Sequence, residues 1–338
     1  MRPVLKPALR RIWRGPATVQ IGLDPSRAVV LSGCDDDVVE LLDVLDGTRE
    51  PRAGSAGADH GGLLTLLSGA GLLDDAVAST APLPGLSRTH RERLAPDLAA
   101  MSLLSGAADG GLGLLRRRRG SAVAVHGAGR VGTTVATLLA AAGVGAIHVV
   151  DGGICQPGDC APGALPMAEL GRRRDEVVGD LLASYAAEAG PPAGQLVAVV
   201  LTGAAATDPR VRDGLARERV PHLVAAVRET TGLVGAFVLP GRSACLRCLD
   251  LHRTDRDPGW PVVAAQLAAA TPTTIDACDT VLATAVACWA AHEVLALIDE
   301  SRRPLTVNGS LELSMNDWRW RRRTWSPHPD CACTEPAV

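Results

Sequence analysis

The segment "AVAVHGAGRVGTTVATLLAAAGVGAIHVVDGG" (122–153) constrains the chain more than any other. A short apolar run meets Gly127, Gly129 and Gly132, an amphipathic run follows, and a second apolar run ends at Asp151. That order predicts a strand, a tight turn and a helix. The first glycine permits the turn, the second lets an anion approach the backbone, and the third lets helix pack on strand. The helix N-terminus favours an anion, and Asp151, nineteen residues past Gly132, is spaced to hold a ribose hydroxyl. Gly127, Gly129, Gly132 and Asp151 are thus the expected cofactor-binding residues, with a nucleotide as the candidate ligand. A second reading stands beside it: the glycines serve packing alone, because a fold can outlive its activity.

Alternation of β and α patterns continues through 120–245: strand 121–126, helix 131–142, strand 146–151, helix 169–188, strand 195–202, helix 209–219, and strands 221–227 and 231–239. This predicts an α/β, Rossmann-like, mostly parallel sheet. Near the end, "SLELSMNDWRWRRRTW" (310–325) reads as a hairpin about Asn316 and Asp317. Residues 1–80 read as a module of their own. They show two short strands, 18–23 and 28–33, around Asp24-Pro25-Ser26, then helix patterns at 35–48 and 61–75. A small winged-helix-like module is expected there, a linker at 81–119 with one helical patch near "RERLAPDLAAMSLL", and the main domain at 120–338.

Composition narrows the function classes. The net charge is −3, with one Phe, one Tyr and six Trp, which supplies neither a basic stripe for phosphate backbones nor platforms for stacked bases. No nucleic-acid partner is expected. The longest apolar run, 281–298, contains His292 and Glu293 and reads as a buried helix rather than a membrane span. Without a signal-peptide pattern, and with an odd count of nine cysteines, a reduced cytoplasmic protein is expected.

Four of those cysteines fall in two close pairs, Cys245 and Cys248 in "CLRC" and Cys331 and Cys333 in "HPDCAC". Two such pairs far apart in sequence are how a chain assembles a tetrahedral thiolate site, so structural zinc is expected on Cys245, Cys248, Cys331 and Cys333. His328, beside the second pair, is expected to support the site rather than ligate. Cys278 is a weaker nucleophile candidate and reads as a helix-start residue; Cys288 reads as core. Cys155 and Cys160 form no strong metal pattern.

The glycine loop, the "AAAGVG-x-I-x-V-V-D" segment and the cysteine pairs together resemble the ThiF/MoeB family, bacterial relatives of ubiquitin-activating enzymes, over about 120–333. That resemblance implies an adenylating enzyme with a zinc-pinned tail. Its pattern also requires groups that are missing here. The second-acid slot is Gly153, the Asn slot falls near Asp159, the Arg slot on Pro162, the Lys slot on Arg174, and the metal-binding acid slot near Gly203. Asp208 is the nearest later carboxylate. Adenylation places charge on phosphates and needs cations and a metal-holding acid, so a chain lacking them together is expected to have no catalytic residues.

The first segment, "RPVLKPALRRIW…VQIGLDPSRAVVLSG…VVELLDVLDGT", is similar to PqqD-like modules. A degenerate ThiF-like domain behind such a module resembles the leader peptide-binding partner proteins of azole-forming (TOMM) peptide biosynthesis. The resemblance implies binding of a precursor leader peptide and recruitment of a YcaO-type cyclodehydratase. Val19, Ile21, Val29 and Leu31 would form the strands, and 35–48 the groove wall. A homodimer is also expected. Two further readings are an ATP-dependent adenylyltransferase with a displaced site at Arg172–Arg174 and Asp208, and an NAD-dependent oxidoreductase, which lacks a discernible proton donor.

Overall fold

Runs such as "SAVAV" and "LVAVVLT" carry no polar alternation, which suits strands covered on both faces. The computed structural model describes residues 2–48, 60–185, 194–203, 208–269 and 277–334. It divides into two compact units, Met1–Arg117 and the chain from Arg118 onward.

The first unit contains β1 (Pro3–Leu5), β2 (Arg11–Gly15), β3 (Thr18–Ile21), β4 (Val29–Ser32), α1 (Asp36–Val44), α2 (His60–Gly69), β5 (Leu73–Asp75), α3 (Ala76–Ser79), α4 (Arg88–Arg93), α5 (Ala95–Ser105) and α6 (Leu112–Arg119). An antiparallel sheet runs β2-β3-β4, and β1 pairs separately with β5. Helix α1 starts where Asp35 accepts the Val38 amide at 3.0 Å, with Asp36 and Asp37 in the favourable first turn. Val19 and Ile21 are fully buried against Leu42, Leu67 and Leu72. Leu83, Leu94, Leu98, Met101, Leu112 and Leu115 form a second cluster, so the segment read as a linker carries three helices with a core of their own.

Two local expectations change. The helix pattern at 61–75 stops at Gly69, because Gly71 takes a φ of +69° and Leu73–Asp75 pair with β1 instead. Strand β2 carries arginines on an exposed ribbon, and its sequence shows no alternation to betray it. The Gly-, Ala- and Arg-rich loop after Thr48 and the last three residues of the 169–188 pattern lie outside the described residues.

The second unit contains β6 (Ser121–His126), α7 (Arg130–Ala141), β7 (Ala146–Val150), α8 (Arg174–Ala183), β8 (Gln195–Thr202), α9 (Pro209–Arg217), β9 (His222–Arg228), β10 (Thr231–Val238), α10 (Leu246–Arg256), α11 (Trp260–Ala269), α12 (Thr280–Asp299), β11 (Gly309–Ser314) and β12 (Trp320–Thr324). Helix α8 starts later than its pattern, because Gly171 at φ +85° turns the chain first. Seven strands form one sheet in the order β12-β11-β10-β9-β8-β6-β7. The ladders joining β7, β6, β8 and β9 are parallel; those joining β9, β10, β11 and β12 are antiparallel.

Alternate residues feed two cores. Val123, Val125 and Val200 face Val135, Leu139, Val286 and Ala290, whereas Ala124, Val199 and Leu201 face a cluster holding Leu249, Trp325 and Cys331. Among the described residues α12 is the one helix long and apolar enough to cross a membrane, and 56% of that stretch is buried in the fold. It shows solvent one stripe, Val281, Cys288 and His292, at helical spacing. Cys288 is therefore exposed, not core. The strand order reverses at β6, whose neighbours are β7 and β8, and this leaves a crevice beyond the carboxyl ends of β6 and β8, where open α/β sheets hold ligands.

Candidate functional site

The glycine loop fills the base of that crevice. Gly127 takes a φ of +99°, and a Cβ there would collide with Thr202; a Cβ on Gly132 would collide with the Gly127 carbonyl. Thr202 Oγ1 donates to the carbonyls of His126 and Gly127 at 2.9 and 3.2 Å, so the turn is locked to β8. Gly129 differs. The atom nearest a Cβ on it is Asp159 Oδ1, at 3.9 Å. Packing thus requires Gly127 and Gly132 but not Gly129. Gly132→Ala is expected to destabilise by about 3 kcal/mol or more, as overpacking against backbone does, while Gly129→Ala costs under about 1 kcal/mol; urea unfolding midpoints measure both.

Asp151 does not stand free for a ribose. Its Oδ2 accepts the Ala128 amide at 2.7 Å and its Oδ1 the Gly153 amide at 2.7 Å. Oδ1 also receives Arg174 Nε and Nη2 at 3.0 and 2.9 Å. Arg174 Nη1 reaches Asp159 Oδ1 at 3.1 Å, so one guanidinium clasps two carboxylates. That guanidinium occupies the space a side chain at position 153 would need. Gly153 and Arg174 are complementary: the missing second acid is the room into which the arginine fits. Burial opposes the Arg174 charge, but Asp151 and then Asp159 outweigh it and hold the group above its ordinary range.

The other cations nearby are spent as well. Arg130 donates to the carbonyls of Gly158 and Cys278, both at 2.8 Å. Arg172 pairs with Glu169 and Asp180, and Arg173 with Asp175. Asp208 caps α9 through the Arg210 amide at 2.8 Å and pairs with the Arg210 side chain, while Gly203 is exposed with nothing within 4 Å of a Cβ. Cys155 lies 3.9 Å from Cys160, and burial, with that neighbour, pushes its thiol up to about 11. Among the described residues no cation of this loop is left uncommitted to meet a triphosphate, and Asp159 would face it.

The four paired cysteines do converge. Cys245 caps the start of α10, Cys248 sits in its first turn, and the tail brings Cys331 and Cys333. Sulfur separations are 3.8 Å for Cys245–Cys248, 3.6 Å for Cys245–Cys331 and 3.3 Å for Cys248–Cys333. A tetrahedron with metal–sulfur bonds of ~2.3 Å has edges of ~3.8 Å, so the set fits one thiolate-bound metal ion. Burial first, then neighbouring sulfur, pushes Cys245 up to about 11 and raises Cys333. Burial would raise Cys248 too, but hydrogen bonds from the His328 and Cys245 backbone and from the Cys333 and Cys331 side chains together outweigh it and leave that thiol below its ordinary range. The His328 ring lies outside the four-sulfur set: its Nδ1 accepts the Asp330 amide at 3.1 Å, and its Nε2 lies 2.9 Å from Asp255 Oδ2. It pins the tail beside the cysteines.

In the first unit, β2 and β4 are the edges of the three-stranded sheet. Val19 and Ile21 lie in the central strand and are fully buried; Val29 and Leu31, opposite them in β4, are half-buried. Trp13 on β2 and Val30 on β4 are exposed. A pocket of about 410 Å³ opens at the β3–β4 turn, lined by Leu9, Arg10, Leu23, Arg27, Leu103 and Leu104.

No protein-family model matches the sequence, and no curated protein sequence matches it. Solved structures do match the fold. Escherichia coli MccB with succinimide superposes with a TM-score of 0.69 at 13% identity, covering 99% of each chain. The Microcin C7 biosynthetic enzyme MccB in complex with N-formylated MccA gives 0.69 at 12% identity over 99% of this chain and 100% of that one. PaaA gives 0.69 at 17% identity over 94% of this chain and 99% of that one. The chain therefore has the fold of MccB and PaaA, the ThiF-like architecture implied by its glycine loop and cysteine pairs.

Proposed function

We propose that this protein binds the leader segment of a ribosomally made precursor peptide and presents it to a YcaO-type cyclodehydratase, without adenylating anything itself. The observation that carries this reading is the Arg174 guanidinium lodged against Gly153 between Asp151 and Asp159. A ribose hydroxyl would find Asp151 Oδ1 already taken by the Gly153 amide and by Arg174, and a triphosphate would meet a carboxylate and committed cations. The fold match to MccB, known in complex with MccA, supports a peptide partner. The winged-helix-like first module supplies the receptor, and four thiolates hold a structural zinc that fixes the tail.

An extended leader would add to the β4 edge, which no strand covers among the described residues, by backbone hydrogen bonds and seat an apolar side chain in the pocket at the β3–β4 turn. Leu23 and Leu104 line that pocket and are largely exposed, so Leu23→Asp/Leu104→Asp spares the core. Calorimetry with synthetic leader peptides of azole-type precursors is expected to find one with a micromolar or tighter constant, about −8 kcal/mol, and the double variant about tenfold less affinity for it. Equal affinity in the variant would place the receptor elsewhere.

A second reading, adenylation of a small carrier protein, is favoured by the full-length match to MccB with bound ATP. Pyrophosphate–ATP exchange separates the two. Background exchange with every candidate peptide is expected, and robust exchange abolished by Arg174→Ala would establish the second reading instead.

A further inference from the structure

Strand β12, "WRRRT", ends the seven-stranded sheet, paired with β11 on one side and with no strand on the other among the described residues. Its residues 321–324 are exposed, so a row of backbone amides and carbonyls lies open. Successive side chains alternate between faces. Trp320 packs into the core on the α12 side, whereas Arg321, Arg323 and Trp325 share the opposite face.

That face gathers cations. Trp325 is 4% exposed and donates Nε1–H to Ser310 Oγ at 3.0 Å. Its ring is covered by the guanidinium groups of Arg253, Arg256 and Arg323, at 5.7, 5.6 and 5.8 Å from its centre. Burial, and then the like charge of Arg228, hold Arg253 below its ordinary range. The carboxylates do not balance them. Asp250 is shared between Arg253 and Arg212, and Glu312 serves Arg323. Asp255 turns to His328, Asp257 accepts the Gly259 amide, and Asp317 holds Arg321. Among the described residues neither Arg228 nor Arg256 has a carboxylate partner.

We infer that this face and the open edge of β12 together dock an extended acidic segment of a polypeptide. A strand added beside β12 with acidic residues at every second position would bring each of them to the arginine face. Forked guanidinium groups match carboxylates in pairs. A nucleic acid fits less well: the one ring at the centre is already covered by the protein's own guanidinium groups, which leaves no platform for a base, and a sugar–phosphate chain cannot continue a β-ladder. The inference does not depend on leader binding by the first unit, and either can fail alone.

The test uses the full-length chain and a fluorescein-labelled peptide of alternating Glu and Val, followed by anisotropy. Binding that weakens as salt is added is expected, with about a tenfold or greater loss in Arg228→Glu/Arg256→Glu. Both side chains are exposed, and an unchanged melting temperature confirms that the variant folds. The same peptide N-methylated at alternate amides is expected to lose affinity on the wild-type protein, because the added strand can no longer pair. The inference is overturned if the charge-reversed variant binds equally well, or if a Lys–Val peptide binds as well as the Glu–Val one. It also fails if N-methylation changes nothing, or if a single-stranded oligonucleotide displaces the peptide at equal concentration.

Discussion

Cys248→Ser is expected to strip the protein of its metal and, with it, the order of one whole face of the second unit. The wild-type protein should carry one zinc ion per chain by elemental analysis. The magnitude decides the outcome. Structural zinc in a four-thiolate site contributes an apparent ~10–16 kcal/mol near neutral pH, which matches or exceeds the ~5–15 kcal/mol that separates most folded proteins from their unfolded chains. Cys248 is fully buried, and Cys331 and Trp325 lie in the same apolar cluster as Leu246 and Leu249. Losing the metal would leave mutually repelling thiolates, or thiols without partners, inside that cluster. The melting temperature should fall steeply and aggregation should follow. Cys288→Ser, on the exposed stripe of α12, is the control and should keep both metal and stability. Far less than one metal ion per wild-type chain would refute the assignment.

Lys6→Met is expected to be the most damaging single change in the first unit. Lys6 is the chain's only lysine, and it is 1% exposed. Its Nζ donates to Ser102 Oγ at 2.9 Å and to the Ala107 carbonyl at 3.2 Å, and it lies 3.3 Å from the buried Asp74. Ser102 Oγ in turn donates to both Asp74 oxygens, at 3.0 and 2.9 Å. This network ties the strand pair β1–β5 to α5 through charge rather than apolar packing. Removing one partner strands the other: a buried carboxylate without its cation costs about 3–5 kcal/mol. Urea unfolding should show the midpoint falling at unchanged slope. Lys6→Met/Asp74→Leu should recover most of the loss, since replacing both charges by apolar groups of similar volume is often neutral. If the double variant is no better than the single, the network is not what holds these elements together.

How much could be read in advance divides along physical lines. Strand–turn–helix order in 121–202 was legible because both faces of those strands are buried, so apolar runs mark them without ambiguity, and because Gly127 and Gly132 are required by contacts within one turn. The cysteine pairs were legible because ligand identity and spacing carry the chemistry. Strands β1 and β5, three residues each, were not: their pairing joins Leu5 to Leu73, and no local period can report a partner so distant.

The sequence by itself determined which groups are missing from the adenylation pattern, since Gly153, Pro162, Arg174 and Gly203 are plain in it. Only the tertiary structure decided what the replacements do. That Arg174 on α8 lies over Gly153 and clasps Asp151 and Asp159 depends on how the loop after β7 folds back. That three arginines from α10 and β12 cover one tryptophan depends on the register of the last hairpin against a helix some sixty residues earlier. Local order follows from residue type and period along the chain; the pairing of charges follows from distances in space, and these are set only when the whole sheet has closed.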